Sequence, residues 1–446
     1  MLAQGVDVQY PNPMQERLSG RRALLGAWLL LIALADGAAP ATGATVTLAC
    51  GIIPQSAELC RQEGEAWAKA RGQQIRVLTY PESSARAREL LGELLQVRVS
   101  DLDVIEVDIV WSGMLAPYLL ALQPGRDVAP EEHFPVALES FSVDGRLLAV
   151  PWSLSIGRLL YRTDLLERYG LTVPETWEEF AAAARTIQEG ERRAGHAEFW
   201  GFVWQGRLGE GLTANALEWI ASAGAPGILG PDGNVVIDDP RSVIALGQGA
   251  SWVEAISPGS VLEMGGEQSL DTFMAGNAAF LRYWSSGLEL AQAEGSAVRN
   301  LVGMAALPAG DAPGGRHVSV LGGTGLAVSR YSKQQDLALD LIRWLTSAEQ
   351  QKQRALTSAF TPTRPALYRD SELLGRKPFY AALEEAFVTA ILRPASVAGS
   401  SYDAVSQAFA TTVHAILERE KQPQPALAEL AAALRRLGPG SPRRGS

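Results

Sequence analysis

Residues 199–224 read FWGFVWQGRLGEGLTANALEWIASAG, and this stretch decides more about the fold than any other part of the chain. It begins with an aromatic run of strand character that ends at Trp204, where a glycine-containing turn follows. From Leu212 onward apolar side chains recur at helical spacing, which predicts a helix with one apolar and one polar face. Trp204 stands where strand meets turn, so its ring is expected either to contact a ligand or to belong to the core.

The same stretch resembles a signature of the extracellular solute-binding proteins of ABC importers, in the branch that binds trehalose, maltose and related disaccharides. Members of that branch carry a segment very like GFVWQG…EGLT.N.LEWI.S.G. Six further segments are similar to the family and fall in its order: 103–122 (DVIEVDIVWSGMLAPYLLAL), 145–171 (GRLLAVPWSLSIGRLLYRTDLLERYGL), 174–180 (PETWEEF), 273–284 (FMAGNAAFLRYW), 322–333 (GGTGLAVSRYSK) and 361–368 (TPTRPALY). The resemblance implies a two-lobed α/β periplasmic-binding-protein fold, type II-like, with a ligand cleft and hinge closure.

The resemblance also implies where the chain divides. Lobe I is expected to comprise residues 45–150 and 308–364, and lobe II residues 151–307 and 365–430. The three crossings between the lobes each contain a proline, which restricts the backbone there; they are expected near 150–155, 307–309 and 363–366.

The N-terminal region has the three-part pattern of a secretory signal peptide. Arg17, Arg21 and Arg22 precede an apolar run at 23–35, which is shorter than the ~20 residues that a membrane span needs, and small residues follow. Residues 1–44 are therefore expected to be a cleaved leader, with an upstream start before Met14 as one option. The adjacent arginines leave the twin-arginine export route open beside the general one.

Cys50 and Cys60 are the only cysteines. Because an exported protein meets an oxidising compartment, a disulfide between them is one expectation. Cys50 follows the apolar run too late to be a lipid-attachment site, so we expect a free periplasmic protein rather than a lipoprotein. Two cysteines without a nearby pair of histidines make a poor zinc site, and neither a metal nor a cofactor is expected.

The composition is that of an exported globular protein that does not bind nucleic acid. Once the leader is removed, about 400 of the 446 residues remain, which suits two lobes better than one compact core. The net charge of −10 argues against a nucleic-acid partner, which would need a basic stripe. The basic residues near the C-terminus are mixed with Gly and Pro, so residues 431–446 are expected to form a flexible tail.

The N-terminal third alternates strand and helix patterns. Strands are predicted at 45–50, 74–80 and 104–111, with helices at 56–71 and 85–96 between them. This order favours parallel strands joined by right-handed crossovers, with ligands at the carboxyl ends of the strands. Farther along, helices are predicted at 176–189, 212–223, 240–255, 285–293 and 333–345, a strand at 325–329, and helix throughout 377–420.

A sugar offers the apolar faces of its rings and a rim of hydroxyl groups, so a saccharide site needs aromatic rings beside polar groups. The candidate rings are Trp111, Trp152, Trp204 and Trp284. By resemblance to the family, Glu58 is the acid on the first helix and Asp108 the acid on the third strand. The other expected ligand-binding residues are Ser83, Ser84, Arg88 (or Arg86), Ser153, Ser155, Gly323, Thr324 and Arg364. A surface role for the polar residues and a core role for the tryptophans are the alternatives.

Three motifs depart from the family in ways that bear on the ligand. Where relatives often read PWYTDAG, GGWGL and NWPY, this chain has PWSLSIG at 151–157, GGTGL at 322–326 and YWSS at 283–286. Each lost stacking or charged contact removes about 1 kcal/mol or more of binding free energy, so trehalose is not expected to be the preferred ligand. Either a differently shaped saccharide fills the space, or the ligand is a non-sugar metabolite, for which Arg88 and Arg158 would suit an anion.

A glycosidase is the alternative from a different class of protein, because acidic residues and tryptophans in a cleft also describe such enzymes. The sequence has no Gly-x-Ser-x-Gly elbow, no glycine-rich phosphate loop and no histidines at metal-binding spacing, so no catalytic residue is expected. The expected partners are a small-molecule ligand and the membrane subunits of an ABC permease, with the protein itself a monomer. A role in feeding a sensor is the other option.

Overall fold

A computed structural model describes residues 43–52, 54–80 and 84–437. Residues 1–42 of the expected leader lie outside them, as does Ser83. The strands are β1 (Thr45–Cys50), β2 (Gln74–Thr79), β3 (Val104–Asp108), β4 (Ser142–Val143), β5 (Arg146–Leu147), β6 (Ala149–Arg162), β7 (Trp200–Val203), β8 (Ala278–Trp284), β9 (Val302–Ala305) and β10 (Leu321–Val328).

The α-helices are α1 (Pro54–Arg71), α2 (Ser84–Gln96), α3 (Ser112–Leu115), α4 (Pro135–Ser140), α5 (Thr163–Arg168), α6 (Trp177–Arg193), α7 (Glu210–Ser222), α8 (Pro240–Trp252), α9 (Gly266–Met274), α10 (Gly287–Leu290), α11 (Gln335–Leu345), α12 (Ala348–Thr357), α13 (Ser371–Arg376), α14 (Glu384–Val388), α15 (Ala395–Ala398), α16 (Tyr402–Leu417) and α17 (Pro423–Leu437). Short 3-10 helices lie at Ala116–Tyr118, Pro130–Glu132, Gly259–Glu263, Pro365–Arg369, Pro378–Ala382 and Gly399–Ser401.

Most of the strands form one mixed sheet with the order β2-β1-β3-β10-β6-β8-β7, and β9 also pairs with β6. β1 is parallel to both β2 and β3, because α1 and α2 carry the chain back between them, as the strand and helix alternation predicted. β10 is antiparallel to β3 and to β6. The carboxyl ends of the three parallel strands therefore meet at one edge, where ligands of such sheets collect.

The 14-residue strand β6 joins two parts of this sheet. Its residues 149–156 pair with β10, and its residues 157–162 pair with β8 and β9. We call β1, β2, β3, β10 and residues 149–156 the first half-sheet, and residues 157–162 with β7, β8 and β9 the second half-sheet. The change of partners within one continuous strand makes β6 a direct connection between the two parts.

Several predicted elements differ from the structure at their ends. β1 has the predicted bounds, whereas the third strand ends at Asp108 and the backbone then turns into α3. The predicted helix at 285–293 is reduced to the four residues of α10, because β8 runs on to Trp284 immediately before it. The segment 377–420 is not helical throughout: a non-helical stretch at 389–394 interrupts it, and several short helices precede α16.

The predicted polar face of α7 is a second correction. Every residue from Leu212 to Ser222 is buried, including the polar ones. Glu218 forms an ion pair with Arg282 of β8, at 2.5 and 2.7 Å, and both side chains are completely buried. The second face of α7 thus packs inside the protein, where ionic and hydroxyl partners replace water.

The structure also bears on the cysteines and on the expected tail. Cys50 and Cys60 form a disulfide that links the end of β1 to α1, which confirms the expected pairing.

Residues 431–437 are not a flexible tail, because α17 extends to Leu437 with an apolar face in the core and Arg435 donates to Asp238 at 2.8 Å. Residues 438–446 lie outside the described part of the chain.

Candidate functional site

The first wall of the candidate site lies just beyond β3, at the carboxyl edge of the first half-sheet. Asp108 ends this strand half-buried, and its Oδ1 accepts a hydrogen bond from the backbone N–H of Val110 at 3.0 Å. Desolvation raises the pKa of Asp108, and the positive charge of Arg393 opposes that rise. Trp111 is largely buried, and its backbone N–H donates to the carbonyl oxygen of Asp108 at 2.9 Å. The short turn after β3 therefore places Asp108 and Trp111 near each other, but Trp111 packs in the hydrophobic core, so its expected contact with a ligand stays a prediction.

A second wall forms where β6, β8 and β10 meet. Trp284 is half-buried at the end of β8, with the guanidinium carbon of Arg282 at 4.4 Å from its ring centroid. The ring lies against Gly322 of β10, where an added Cβ would come within 2.9 Å of the ring atom Cζ3 and within 2.6 Å of the hydroxyl of Ser155. Gly322 therefore provides the space in which Ser155 and Trp284 come together, while Arg282 supports the indole.

A buried polar cluster forms the third part of the site. The Arg393 side chain is only 5% exposed and donates to Glu210 at 2.9 Å. Tyr402 also donates to Glu210, and Ser406 does so at 2.6 Å. Arg393 reaches the backbone oxygen of Leu321 at 3.3 Å as well, next to Gly322, so this cluster is continuous with the Trp284 wall. Its carboxylate, guanidinium and hydroxyl groups are those that recognise sugar hydroxyls.

One ion pair ties this cluster to the first half-sheet from the other side. Arg88 of α2 pairs with Asp403 of α16, adjacent to Tyr402. The negative charge of Glu210 also acts on Arg88, although burial has the larger effect and lowers the pKa of Arg88. Arg88 and Asp108, predicted from separate segments, therefore face the same cluster.

The space enclosed at this meeting place is small. A cavity of about 10 Å³ lies between Ile109 and Val110 on one side and Leu321 and Arg393 on the other. This is roughly the space for one water molecule, against roughly 300–1,000 Å³ in ordinary ligand pockets. This cavity itself is too small for a sugar.

Three predicted residues of β6 and β10 line the same region through their backbone. Thr324 pairs with Asp108 in one neighbouring strand and with Ser153 in the other. Gly323 lies beside them at a φ of 141°, where a Cβ would clash with the backbone oxygen of Ser153 at 2.3 Å. The side chains of Ser153 and Thr324 are buried, so these residues shape the wall more than they present polar groups to its surface.

The structure places two predicted tryptophans in the core, which corrects the expectation that they face the cleft. Trp204 is completely buried: its ring meets Trp219 edge-on at 5.0 Å, and its N–H donates to Ser257 at 3.2 Å. Trp152 is also completely buried, under the guanidinium of Arg354 at 4.7 Å. Trp152 belongs to a stretch of β6 in which every residue from Ala149 to Leu154 is buried, and Trp204 directly follows the three buried residues that end β7.

Two predicted polar residues lie elsewhere. Glu58 is 57% exposed on α1 and pairs with Arg61. Arg364 pairs with Glu132 and donates to the backbone oxygen of Thr346 at 2.9 Å. It lines a cavity of about 450 Å³ that shares no lining residue with the Trp284 wall or the polar cluster. Ser84 begins α2, and its side chain is not among those described.

Sequence reasoning missed the residues of the polar cluster. Glu210 lies within residues 199–224, directly after Gly209, but the helical pattern of apolar residues begins only at Leu212 and gives no information about Glu210. Arg393 and Tyr402 fall in a region predicted to be uniformly helical, whereas Arg393 lies in the non-helical stretch before α15. An arginine followed by proline was the available signal, because proline disfavours helix at the residue before it.

Comparisons with known proteins show the family to which the chain belongs. The family model described as bacterial extracellular solute-binding protein matches residues 61–352. A probable ABC transporter-binding protein of Deinococcus radiodurans is 39% identical over 417 residues, which cover 93% of this chain and 98% of that protein. Among the described residues, no helix is both long enough and apolar enough to cross a membrane.

Solved structures share the fold. The maltose-bound MalE3 of T. maritima is 32% identical with a TM-score of 0.81, and the match covers 89% of this chain and 100% of that one. A solute-binding protein from Agrobacterium radiobacter in complex with ribitol is 22% identical with a TM-score of 0.76, covering 90% and 100%. The fold is therefore the mixed α/β, two-lobed fold of periplasmic binding proteins.

Proposed function

The chain belongs to the bacterial extracellular solute-binding proteins, as the substrate-binding component of an ABC transporter, and we propose that it captures a neutral saccharide or polyol and delivers it to a membrane permease. The observation that carries the proposal is the meeting of Asp108, Trp284 and the Glu210–Arg393 cluster at the carboxyl edge of the first half-sheet. This set combines an aromatic ring with ionic and hydroxyl groups, as sugar recognition requires.

We propose the lobe boundaries that the family resemblance implies; the change of partners in β6, between residues 156 and 157, falls shortly after the first of these boundaries. Lobe I comprises residues 45–150 and 308–364, and lobe II residues 151–307 and 365–430. The first half-sheet then belongs mainly to lobe I and the second to lobe II, while β6 and the segment before β10 cross between them. Asp108 and Arg88 approach from lobe I, and Glu210, Arg393 and Asp403 from lobe II.

Rotation of the two lobes about these crossings would open the site to the ligand. The Arg88–Asp403 ion pair joins the two proposed lobes, so we take the arrangement to be a form in which the lobes are in contact. A ligand that touches both lobes favours a closed form in proportion to the contacts it gains there. The ligand must then replace the Arg88–Asp403 ion pair with hydroxyl groups of its own.

The charges at the site favour a neutral ligand over the anionic metabolite considered from the sequence. Arg88 and Arg393 bring two positive charges, while Asp108, Glu210 and Asp403 bring three negative charges when ionised. Arg88 and Arg393 each already have a carboxylate partner, so an anion bound there would have to displace one and meet the others. Arg158, the other arginine of the anionic alternative, is buried in β6 and has no ion pair among the described residues. A polyhydroxy ligand can accept from the arginines and donate to the carboxylates without adding charge.

The remaining assignments follow from family membership. We propose that residues 1–44 are a cleaved export leader, that the mature protein is a free periplasmic monomer, and that it has no catalytic activity. The maltose and ribitol in the structures of relatives are ligands of those proteins, and they supply the first probes for this one.

A thermal-shift screen of the purified protein tests the proposal. The probes are maltose, trehalose, ribitol and mannitol, with succinate and citrate as anionic comparisons. We expect at least one neutral probe to raise the Tm, the two acids to leave it unchanged, and trehalose not to give the largest shift. A shift with the acids alone would replace the proposal by the anionic alternative.

A further inference from the structure

We call Gly51 and Ile52, which directly follow β1, the loop after β1; the completely buried carboxylate of Glu106 lies beneath it. Its Oε2 accepts hydrogen bonds from the backbone N–H groups of Gly51 and Ile52, at 2.7 and 3.1 Å, and from the hydroxyl of Ser56 at 3.4 Å. Gly51 has a φ of 109°, which a side chain would disfavour, so the loop adopts a turn that suits these contacts. One acidic side chain therefore holds the loop to the sheet.

The surroundings of Glu106 supply no positive charge within the described residues that accounts for its burial. Its other oxygen, Oε1, finds no hydrogen-bond partner in the described part of the chain, although the Thr324 hydroxyl lies on that side. The disulfide takes up the nearby thiols, and Tyr80 donates to the backbone oxygen of Glu106 at 3.0 Å. Asp108 is the charged group that acts on it, and it is also negative.

These surroundings raise the pKa of Glu106 to about 7. Desolvation is the main cause, the charge of Asp108 adds to it, and the hydrogen bonds from the backbone N–H groups of Gly51 and Ile52 oppose it. A carboxylic acid with this pKa changes charge near neutral pH, whereas one in water would be ionised there almost completely.

We propose that Glu106 is a positioning residue for the loop after β1, and that the loop opens more readily when the Glu106 carboxylate is ionised. The loop lies at the carboxyl edge of the first half-sheet, and Glu106 and Asp108 lie on the same face of β3. The functional meaning rests on the proposed function, since an open loop matters to ligand capture only if ligand binds at this edge.

The direction follows from where the proton is held more tightly. The closed loop keeps Glu106 out of water with a pKa of about 7, and an open loop would return it toward its ordinary value of 4.5. The closed form then binds the proton more tightly, so opening becomes more favourable as pH rises between these values and levels off above about 7. If the ionised carboxylate held the loop closed more tightly than the neutral acid does, opening would instead become less favourable as pH rises.

Hydrogen exchange of the amides of Gly51 and Ile52 in the ligand-free, disulfide-intact protein tests this between pH 5 and pH 8. After correction for the intrinsic exchange rate, we expect the opening constant to rise between pH 5 and pH 8 by on the order of fifty- to a hundredfold, with a ceiling on the order of a few hundredfold set by the shift in pKa. Glu106→Gln stays neutral and keeps an oxygen for the two N–H groups. It should give a flat profile, with better protection than the wild-type protein at pH 8.

Asp103→Asn is the matched control. Asp103 is also buried, but it lies just before β3 at the opposite edge of the first half-sheet, where its Oδ2 accepts from the backbone N–H of Thr47 at 2.8 Å. It should leave the pH profile of Gly51 and Ile52 intact. A flat wild-type profile, or weaker protection in Glu106→Gln than in the wild-type protein at pH 8, would overturn the proposal.

A parallel titration with maltose at pH 5.5 and pH 7.5 keeps the two proposals apart. Failure of maltose and of the other neutral probes to bind at either pH counts against the proposed function, while the exchange data still decide the role of Glu106. A pH profile that persists in Glu106→Gln counts against Glu106 alone.

Discussion

Replacing Trp284 by alanine separates a ligand-stacking role from a structural one. The ring is half-buried, one face lies over the guanidinium of Arg282, and its edge packs on Gly322 and Ser155. Alanine removes the surface on which a sugar ring would stack, while Arg282 keeps its ion pair with Glu218. The variant should therefore fold and bind its ligand more weakly.

The magnitude follows from the kind of contact that is lost. An aromatic stacking contact contributes about 0.5–1.5 kcal/mol beyond the area that it buries, which corresponds to roughly a twofold to tenfold increase in Kd. Loss of the contact with Arg282 would cost a further ~0.5–1 kcal/mol of folding free energy. Binding and stability should thus change by separate, measurable amounts.

Isothermal titration with the neutral probe that gives the largest thermal shift measures the change in Kd, and urea unfolding measures stability. The matched control is Trp344→Ala, because Trp344 is another half-buried tryptophan beneath an arginine, Arg71 at 5.5 Å, but lies on α11. The control should leave Kd unchanged. An unaltered Kd in Trp284→Ala, together with lower stability, would show that the ring is structural and would refute the assignment.

Three further predictions concern stability. Trp204→Ala should lower the free energy of unfolding by about 3–5 kcal/mol in urea titrations, because the ring is completely buried; a loss below ~1 kcal/mol would contradict its core placement. Arg282→Met should lower the free energy of unfolding by about 3–5 kcal/mol, because it leaves Glu218 buried without its ion-pair partner. The double variant Arg282→Met with Glu218→Gln should recover part of that loss, and effects of the two substitutions that simply add would argue against the ion pair. Reduction of the Cys50–Cys60 disulfide, which joins residues ten positions apart, should lower the free energy of unfolding by roughly 2–3 kcal/mol. Equal stability with and without reductant would contradict a stabilising role for the disulfide.

Local patterns in the sequence identified the fold because they reflect the surroundings of each element. The five residues after Thr45 are all buried in β1, so a continuous apolar run predicted this strand with its bounds. The crossover helices followed from their spacing, and the order of strands and helices then predicted parallel pairing. The resemblance to solute-binding proteins, confirmed by the comparisons, added the two-lobed architecture.

The site was less predictable because it depends on partners that are distant in the sequence. The sequence pattern of α7 predicts that its polar residues are exposed, because the ion-pair partner of Glu218, Arg282, lies 64 positions away in the sequence. Glu210 and Arg393 are 183 positions apart, and no local pattern links them. Trp204 directly follows β7, close to the predicted end of a strand, but periodicity alone does not show whether its side chain faces the core or a ligand.

The most direct test of the central claim is a calorimetric titration of the purified protein with neutral saccharides and polyols, beginning with maltose and ribitol, in parallel with Asp108→Asn. The account predicts saturable binding of at least one neutral ligand at one site per chain, weakened in Asp108→Asn. Binding that Asp108→Asn leaves unchanged, or binding of small carboxylates but of no neutral probe, would contradict it.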